Sequence, residues 1–336
     1  MTQQLSLFSS AEADADGSEE GAVLPVALPE ALAQIANALP AGIFLGTSSW
    51  SFPTWRGLVY GDSYEQTALA RAGLKAYAQH PLLRSVGIDR TFYAPIPRAE
   101  FERYAQQVPA SFRFLVKAPV QCVSPWLRAE LGQRSGDNPN YLDAGFAVEQ
   151  FVLAAIEGLG DRAGPLVFQF PPLGREIVSR PAAFARRLSD FLGRLPGGPL
   201  YAVELRDAAL LTDDYLAALR DTGVSHCLGL HPRQPGVREQ ARLLGQLPPA
   251  SLVVRWNLHS GYGYQEARER YHPFTRLVDE DLPTRVALAR LCIQTISGGH
   301  AAYVVANNKA EGSAPLTVFK LAALIVDELS RPAPGQ

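Results

Sequence analysis

The sequence predicts an α/β protein of the (β/α)8 TIM-barrel class, preceded by a disordered N-terminal tail. Eight short apolar runs are each followed by a segment with helical apolar spacing. Apolar strands that alternate with helices predict a parallel sheet covered by helices, and eight such units across about 290 residues match a closed barrel. An open doubly wound sheet is the alternative. Against it, Gly46-Thr47-Ser48-Ser49-Trp50 lacks the glycine spacing of phosphate-binding turns in such folds.

The predicted strands are rich in β-branched and aromatic residues, and the helices between them are amphipathic. The predicted strands are Ile43 to Gly46, Ser85 to Ile88, Phe112 to Val116, Leu166 to Phe170, Tyr201 to Glu204, Ser225 to Gly229, Leu252 to Trp256 and Tyr303 to Ala306. The predicted helices are Gln66 to Gln79, Arg98 to Gln107, Ala144 to Gly158, Pro181 to Leu195, Asp213 to Asp221, Val237 to Leu247, Leu282 to Ile296 and Ala314 to Leu329.

Residues outside the barrel divide into two tails and one short helix. Residues 1–28 form an acidic tail that is poor in aromatic residues and is expected to be disordered. Residues 29–40 contain helical apolar spacing that stops at Pro40, which predicts a lead-in helix at the bottom of the barrel. The barrel is expected to occupy residues 41–330, and residues 331–336 form a C-terminal tail.

Composition indicates an ordinary globular protein of the cytoplasm. The chain has 336 residues, 47% of them hydrophobic, and a formal net charge of −2. Its first 40 residues contain only acidic charges, so the remainder is mildly basic, without a broad nucleic-acid-binding footprint. Cys122, Cys227 and Cys292 lie too far apart in sequence for a CxxC motif. With neither an export signal nor a long apolar run, we expect no membrane association.

The segment Ala301 to Thr317 carries the first indication of a binding site. A buried strand ends in Asn307-Asn308-Lys309, and Ser313 and Pro315 then mark the start of a helix. Amides and an ammonium opposite a helix N-terminus favour an anion. The alternative is a turn in which the asparagine side chains bond to their own backbone.

Polar side chains follow the ends of most predicted strands, where the chemistry of a TIM barrel is located. Alternate residues of a strand face the same side, so Glu204 and Arg206 share a face, as do Arg255 and Asn257. The candidate ligand-binding residues are Trp50, Thr91, Tyr93, Gln169, Arg206, Arg255, Asn257, Asn307, Asn308, Lys309 and Ser313; the candidate catalytic residues are Glu204, Asp89 and Lys117.

Each catalytic candidate also has a simpler interpretation. Glu204 is either a general acid or base or the buried partner of an arginine. Asp89 has the same two possibilities, and Arg90 beside it points to the opposite face, so the partner of Asp89 comes from elsewhere. Lys117 is a candidate for Schiff-base formation or proton transfer if desolvated, whereas base rates favour an ammonium that binds a substrate anion.

The sequence predicts neither a metal site nor a cofactor. Its six histidines show no HxH or HExxH spacing, although His231 and His259 follow neighbouring strands and are the remaining metal alternative. His226 lies within a strand and is expected to be a hydrogen-bonded interior residue. Many aromatic residues fall in strand-to-helix connections, and some of them are suited to stack on a sugar or base.

Seven segments together resemble the YecE-like family, also called domain of unknown function 72. In chain order they are GTSSWSFPTW, RTFYAPIP, FRFLVKAP, LVFQFPP, YAVELRD, VVRW and VVANNKAEGSAPLT, and the likeness extends from Gly42 to Leu329. The resemblance implies a TIM barrel but no established reaction. The pocket positions that it implies are Trp50, Thr91, Tyr93, Lys117, Gln169, Glu204, Arg206, Arg255, Asn307 and Asn308.

The chain departs from the family pattern at two places in the expected pocket. Gly87-Ile88-Asp89-Arg90 stands where the family usually has Glu-Ile-Asn before its Ser-Thr-Phe-Tyr motif. Asn257-Leu258 stands where a His-Gly pair often follows the arginine-bearing strand. Both departures indicate that ligand preference differs within the family.

These features favour an enzyme acting on an anionic, phosphorylated or nucleotide-like compound at the C-terminal face of the barrel. The residues do not separate a hydrolase from a lyase or an isomerase. The competing class is a non-catalytic binding module for an anionic ligand or nucleic acid, in which Glu204 only pairs with an arginine.

The extreme N-terminus predicts a protein partner. Gln4-Leu5-Ser6-Leu7-Phe8 resembles the pentapeptide by which bacterial DNA polymerases and repair proteins bind the sliding clamp. The resemblance assigns the contacts to Gln4, Leu5, Leu7 and Phe8 and implies a role in DNA maintenance. The alternative is that Leu7 and Phe8 pack on the barrel or are unused.

Overall fold

A computed structural model of the protein describes residues 22–128 and 133–331. The strands are β1 Ile43–Thr47, β2 Ser85–Ile88, β3 Arg113–Lys117, β4 Trp126–Arg128, β5 Arg134–Asp137, β6 Ala163–Phe170, β7 Tyr201–Leu205, β8 Ser225–Leu230, β9 Leu252–Trp256 and β10 Ala302–Ala306. The helices are α1 Glu30–Ala38, α2 Gln66–Tyr77, α3 Arg98–Gln106, α4 Val120–Val123, α5 Ala144–Ala147, α6 Leu153–Leu159, α7 Arg175–Val178, α8 Pro181–Leu192, α9 Asp213–Thr222, α10 Val237–Leu244, α11 Tyr264–Tyr271, α12 Leu282–Ser297 and α13 Ala314–Ser330. A π-helical segment, Val148–Val152, joins α5 to α6.

Eight strands form a closed parallel barrel in the order β1-β10-β9-β8-β7-β6-β3-β2, which confirms the predicted fold class. Every residue of β7 to β10 is buried, because the strands pack against helices outside and against one another's side chains inside. The larger hydrophobic core fills the space between the strands and the surrounding helices. All eight predicted barrel strands are present.

Helix α1 lies at the N-terminal end of the barrel, as the lead-in segment predicts. Arg84, directly before β2, donates hydrogen bonds to the carbonyl oxygens of Ala36 (2.8 Å), Leu39 (3.1 Å) and Pro40 (2.7 Å). A guanidinium therefore satisfies carbonyls that the end of a helix leaves without partners. Residues 1–21 of the predicted tail lie outside the described residues, as does the segment 332–336, whereas residues 22–28 are described and include a β-bridge between Pro25 and Tyr60.

Three local features differ from the sequence-based expectations. Strands β4 and β5 form an antiparallel hairpin between β3 and α5, in a region where polar composition predicts no strand. Helix α11 precedes α12 in the connection after β9. Strand β6 begins at Ala163 instead of Leu166, and its register with β3 shifts between Phe114 and Val116. In the described parts of the chain, no helix is both long and apolar enough to cross a lipid bilayer.

Candidate active site at the C-terminal end of the barrel

The barrel interior consists of an apolar layer with a charged layer above it. The apolar layer contains Leu115, Val167, Ala202, Cys227, Val253, Tyr303 and Val305, packed near Phe44. Two residues further along five of these strands, on the same face, are Lys117, Gln169, Glu204, Gly229 and Arg255. The parallel register places Gln169 beside Glu204 and Gly229 beside Arg255. The fold therefore gathers these side chains in one layer below the C-terminal opening.

Arg255 is the centre of an ion-pair chain. Its Nη1 donates to Glu204 Oε2 at 2.6 Å, and its Nη2 donates to both carboxylate oxygens of Asp89 at 2.9 and 3.0 Å. Arg206 Nη2 lies 2.8 Å from Glu204 Oε1. The partner that Asp89 requires is thus Arg255, while Arg90 contacts Tyr104 and Glu100 outside the barrel. Two carboxylates and two guanidiniums alternate in this chain and cancel in formal charge.

The ion pairs keep Glu204 ionised despite complete burial. Burial raises the pKa of Glu204, but Arg206 and Arg255 lower it by more, so the net pKa shift is downward. For Arg255, burial lowers the pKa, whereas Asp89 and Glu204 raise it to a value above the usual arginine range. This arrangement corresponds to the ion-pair interpretation of Glu204. Its role as a general acid or base stays a prediction.

Gly229 allows the charged layer to pack closely. A Cβ atom at this position would lie 2.6 Å from both side-chain amide atoms of Gln234 and 2.7 Å from Glu204 Oε1. Gln234 lies within the loop after β8 and is partly buried; its side-chain amide donates to the Leu205 carbonyl, and its buried Oε1 has no hydrogen-bond partner among the described residues. Asn257 Nδ2 lies 3.4 Å from Glu204 Oε1 and donates more closely to the Arg255 carbonyl, at 3.0 Å.

Lys117 is the last residue of β3, and the exposed fraction of the whole residue is 9%. Its Nζ lies 3.4 Å from the centroid of the Phe92 ring and makes no hydrogen bond or ion pair with residues 22–128 or 133–331. The Thr91 hydroxyl contacts the carbonyl oxygens of Ile88 and Lys117, so it fixes the turn that carries Phe92 against this strand end. Burial, then repulsion from Arg255, lowers the pKa of Lys117 to about 7, although Asp89 and Glu204 oppose the shift.

Lys309, which follows β10, supplies a second buried ammonium at the opening. Its Nζ lies 4.4 Å from the centroid of the Tyr264 ring, and it too forms no ion pair with the described part of the chain. Burial lowers the pKa of Lys309 to about 8, while Asp89 raises it and Arg268 lowers it. Cation–π contacts of this kind contribute about 0.5–2 kcal/mol, depending on desolvation. That gain only partly offsets the cost of burying an ammonium.

The two asparagines after β10 make the turn contacts that were the alternative to anion binding. Asn307 Oδ1 accepts from the Lys309 backbone N–H at 3.0 Å, and Asn308 Oδ1 accepts from the Ala314 N–H at 2.8 Å. Asn307 Nδ2 also donates to Ser48 Oγ at 2.8 Å. Ser313 precedes α13 but makes no side-chain capping bond, and it is completely buried. In this structure Asn308 and Ser313 are enclosed, whereas Asn307 lies closer to the opening.

The remaining predicted ligand-binding residues lie at different depths. Trp50 is buried outside the barrel, where its indole donates to the Leu69 carbonyl at 3.1 Å and packs edge-on against Tyr104. Gln169 is 5% exposed within the charged layer. Tyr93 is 43% exposed; burial raises its pKa, and the neighbouring charge of Asp89 raises it further.

The histidines of the site have local partners. His231 Nδ1 accepts from the Arg233 N–H, and burial, with Arg206 next, lowers the pKa of His231 to about 4. His259 Nδ1 accepts from the Gly261 N–H. His226 is hydrogen-bonded to Tyr215 and Gln240, as expected of an interior residue. No group of three or more His, Cys, Asp or Glu side chains suited to a metal ion occurs within the described ranges.

Sequence reasoning missed Gly229 and Gln234 of this site, and it placed Phe92 and Tyr264 only among the aromatic residues of strand-to-helix connections, without linking them to the two lysines. Gly229 was detectable in principle, because it occupies an inward-facing strand position two residues beyond Cys227. Gln234 and Tyr264 follow their strands by several residues, so only the folded loops bring them to the opening. Phe92 lay next to two candidates, but nothing in the sequence distinguishes a ring under Lys117 from one packed in the core.

The closed barrel and the charged layer at its C-terminal end define a TIM-barrel protein with a concentrated ionic site. Such a location is where enzymes of this fold carry out their chemistry. The chain belongs to the family described as Protein of unknown function DUF72, whose model matches residues 44–336. This finding confirms the family resemblance. A search of curated proteins gave no match.

Two solved structures of DUF72 family proteins share the fold. One, from Enterococcus faecalis V583, is 17% identical, covers 88% of this chain and 99% of that chain, and has a TM-score of 0.54. The other, from Thermotoga maritima MSB8, is 19% identical, covers 86% of this chain and 99% of that chain, and has a TM-score of 0.53. Identities at this level support the shared fold and carry no argument about substrate.

Proposed function

We propose that the protein is an enzyme that acts, without a metal ion, on an anionic compound of the phosphorylated or nucleotide-like class at the C-terminal face of its barrel. The reaction belongs to the hydrolase, lyase or isomerase classes. Nucleic acid, which carries the same phosphate groups, is the macromolecular ligand of this anionic class.

One observation carries the proposal: two buried ammonium groups remain after the ion-pair chain has cancelled its own charge. Asp89, Arg255, Glu204 and Arg206 alternate in sign. Lys117 and Lys309 contact aromatic faces instead of carboxylates among the described residues. A bound anion would supply the missing counter-charge inside an environment where Coulomb interactions are stronger than in bulk water.

The proposed roles follow from depth and partners. Lys117, Lys309 and Arg206 neutralise the anion, whereas Gln169, Asn257 and Asn307 orient it. Asp89 is the better placed acid or base, because its side chain is 34% exposed at the opening while Glu204 is completely buried. Glu204 would then serve mainly to position the two arginines.

The competing proposal is a binding module without catalysis. It is favoured by the double ion pair of Glu204, since a carboxylate held by two guanidiniums is a poor proton carrier. Once a ligand is known, Asp89→Asn and Arg255→Ala separate the two classes. An enzyme loses turnover with Asp89→Asn while ligand affinity is largely kept; a binding module shows only changes in affinity.

The first experiment is a thermal-unfolding screen against inorganic phosphate, sugar phosphates, nucleotides, short DNA and the matching neutral sugars. A ligand at 100 times its dissociation constant adds about 2.7 kcal/mol to the free energy of unfolding, which is a measurable shift. Protection by anions supports the proposal. Protection by neutral sugars with none by any anion would overturn it.

A further inference from the structure

The protein uses lysine sparingly, and half of its lysines are at the barrel opening. Of 31 lysine and arginine residues only four are lysines: Lys75, Lys117, Lys309 and Lys320. Lys75 and Lys320 are exposed on α2 and α13, whereas Lys117 and Lys309 are 9% exposed. An arginine offers charge but keeps its proton, while an amine can lose its proton and attack an electrophile. The placement of lysine at these positions therefore indicates that the amine has a role beyond supplying positive charge.

Lys117 has the environment of an amine that is not fixed as an ammonium. The two carboxylates nearest in the ion-pair chain, Asp89 and Glu204, are already bonded to Arg255. The Phe92 ring covers one side of Nζ at 3.4 Å, so that side offers no hydrogen-bond acceptor. With burial dominant and Arg255 next among the causes, the pKa falls to about 7, and neutral amine is abundant near neutral pH.

We propose that Lys117 is a nucleophilic amine that forms a Schiff base with a carbonyl carbon of the ligand. The substrate class is then an aldehyde or ketone that also carries a phosphate or another anionic group. This inference rests on the proposed function, because Lys309 and Arg206 hold the anionic group while the protonated Schiff base keeps the positive charge of Lys117 beside it. Lys309 differs from Lys117 in lying beside exposed Tyr264 at the rim.

The reaction balances without an oxidant or reductant. The neutral Nζ adds to the carbonyl carbon, a C–N bond forms, and the carbonyl π electrons pass to oxygen, which takes a proton while the nitrogen loses one, so the carbinolamine is neutral. The resulting carbinolamine loses that oxygen as water after a second protonation, leaving an iminium. In sum, one lysine ammonium and one carbonyl give one iminium and one water. Asp89, the partly exposed carboxylate beside the lysine, is the group that carries these protons.

The test is reductive trapping on the full chain. The protein is incubated with cyanoborohydride and either dihydroxyacetone phosphate or neutral dihydroxyacetone, and the four lysines are then compared by peptide mapping. Lys117 should be labelled by the phosphorylated ketone at least tenfold faster than exposed Lys75, since a pKa of about 7 at Lys117 leaves far more neutral amine near neutral pH than the ordinary lysine value does. Lys117→Arg should lose the label at this peptide only.

Each outcome bears on one of the two claims. Labelling that is equal at the four lysines, or confined to Lys309, overturns the Schiff-base role. Protection by phosphate without trapping at Lys117 by phosphorylated aldehydes or ketones also overturns it and leaves the proposed function intact. Trapping at Lys117 that is equally fast with neutral dihydroxyacetone supports the nucleophile but contradicts the anion site. Because the map is made on the wild-type chain, the result stands even if Lys117→Arg fails to fold.

Discussion

At the scale of single residues, the sequence identified the types of side chain in the site better than their partners. Strand-end position was sufficient to place Glu204, Arg255 and Asp89 in one region, because alternate residues share a face. It was not sufficient to show that one guanidinium joins both carboxylates, since that depends on how the strands are staggered around the barrel. Burial of Lys117 on the Phe92 ring was equally inaccessible, because side-chain depth is set by the loops.

Glu204→Gln should destabilise the fold strongly. Removal of one partner from a buried ion pair leaves uncompensated charge, here on Arg255 and Arg206, and typically costs about 3–5 kcal/mol. The measurement is the free energy of unfolding from urea denaturation. Glu102→Gln is the matched control, because Glu102 pairs with Arg98 on the surface and its side chain is 41% exposed. Similar losses in the free energy of unfolding for the two variants would show that the buried ion-pair chain contributes no more to stability than a surface ion pair does.

Lys117 should make stability rise with pH. Its folded pKa of about 7 lies below the ordinary lysine value, so between these values the unfolded chain binds more protons than the folded protein. The free energy of unfolding then rises by up to about 1.4 kcal/mol per pH unit from this residue, up to about pH 10.4, and its contribution is constant below pH 7.

The measurement compares urea denaturation of the wild type with Lys117→Met from about pH 6 to pH 9. Lys309 titrates in both proteins and cancels in the difference. The amount by which the free energy of unfolding of Lys117→Met exceeds that of the wild type should shrink steadily as the pH rises above 7. A difference that does not vary with pH would mean that Lys117 titrates at the usual lysine value.

At the scale of elements, periodicity predicted the barrel because each of its strands is an apolar run flanked by amphipathic helices. The hairpin β4–β5 escaped prediction, since its strands are three and four residues long and carry charged and polar side chains. Its pairing is a tertiary feature, reinforced by Arg134 stacked 3.3 Å from the centroid of the Trp126 ring. Short polar strands leave little periodic signal.

Gly229→Ala tests how closely β8 must approach its neighbours. The added Cβ would lie within 2.7 Å of Gln234 and Glu204 Oε1, so the charged layer must move. Overpacking of this kind costs about 1–3 kcal/mol. Gly136→Ala in β5 is the control, because nothing lies within 4 Å of the Cβ that it adds. A stability loss in the control that equals the loss at Gly229 would point to a general strand effect instead of crowding in the site.

At the scale of the whole molecule, the predicted partner of the N-terminal motif is separate from the predicted ligand of the barrel. Residues 4–8 lie outside the described residues, so binding to a sliding clamp stays a prediction from their resemblance. The described chain begins beside the loop after β1, where the Val26 N–H donates to the Val59 carbonyl at 3.0 Å. If the motif binds a clamp, it would raise the local concentration of DNA around the barrel opening and offset weak intrinsic affinity.

A labelled peptide of residues 1–20, titrated with purified sliding clamp and followed by fluorescence anisotropy, tests the motif. Binding is expected, because apolar anchors from an extended tail suit a preformed groove. The Leu7→Ala, Phe8→Ala double variant should remove it. Absence of binding, or binding that the double variant leaves unchanged, would exclude the clamp as a partner through this segment.

The central claim is that an anion occupies the barrel opening between the two buried ammonium groups. Isothermal titration calorimetry with the most protective anion of the unfolding screen tests it, using Lys117→Met, Lys309→Met and, as the exposed control, Lys75→Met. Loss of one charge-assisted contact should weaken affinity by about tenfold or more for each buried lysine, since such contacts contribute about 1.5–3 kcal/mol. Lys75→Met should bind as the wild type does. If both buried-lysine variants bind the anion with wild-type affinity, the site lies elsewhere and the account is wrong.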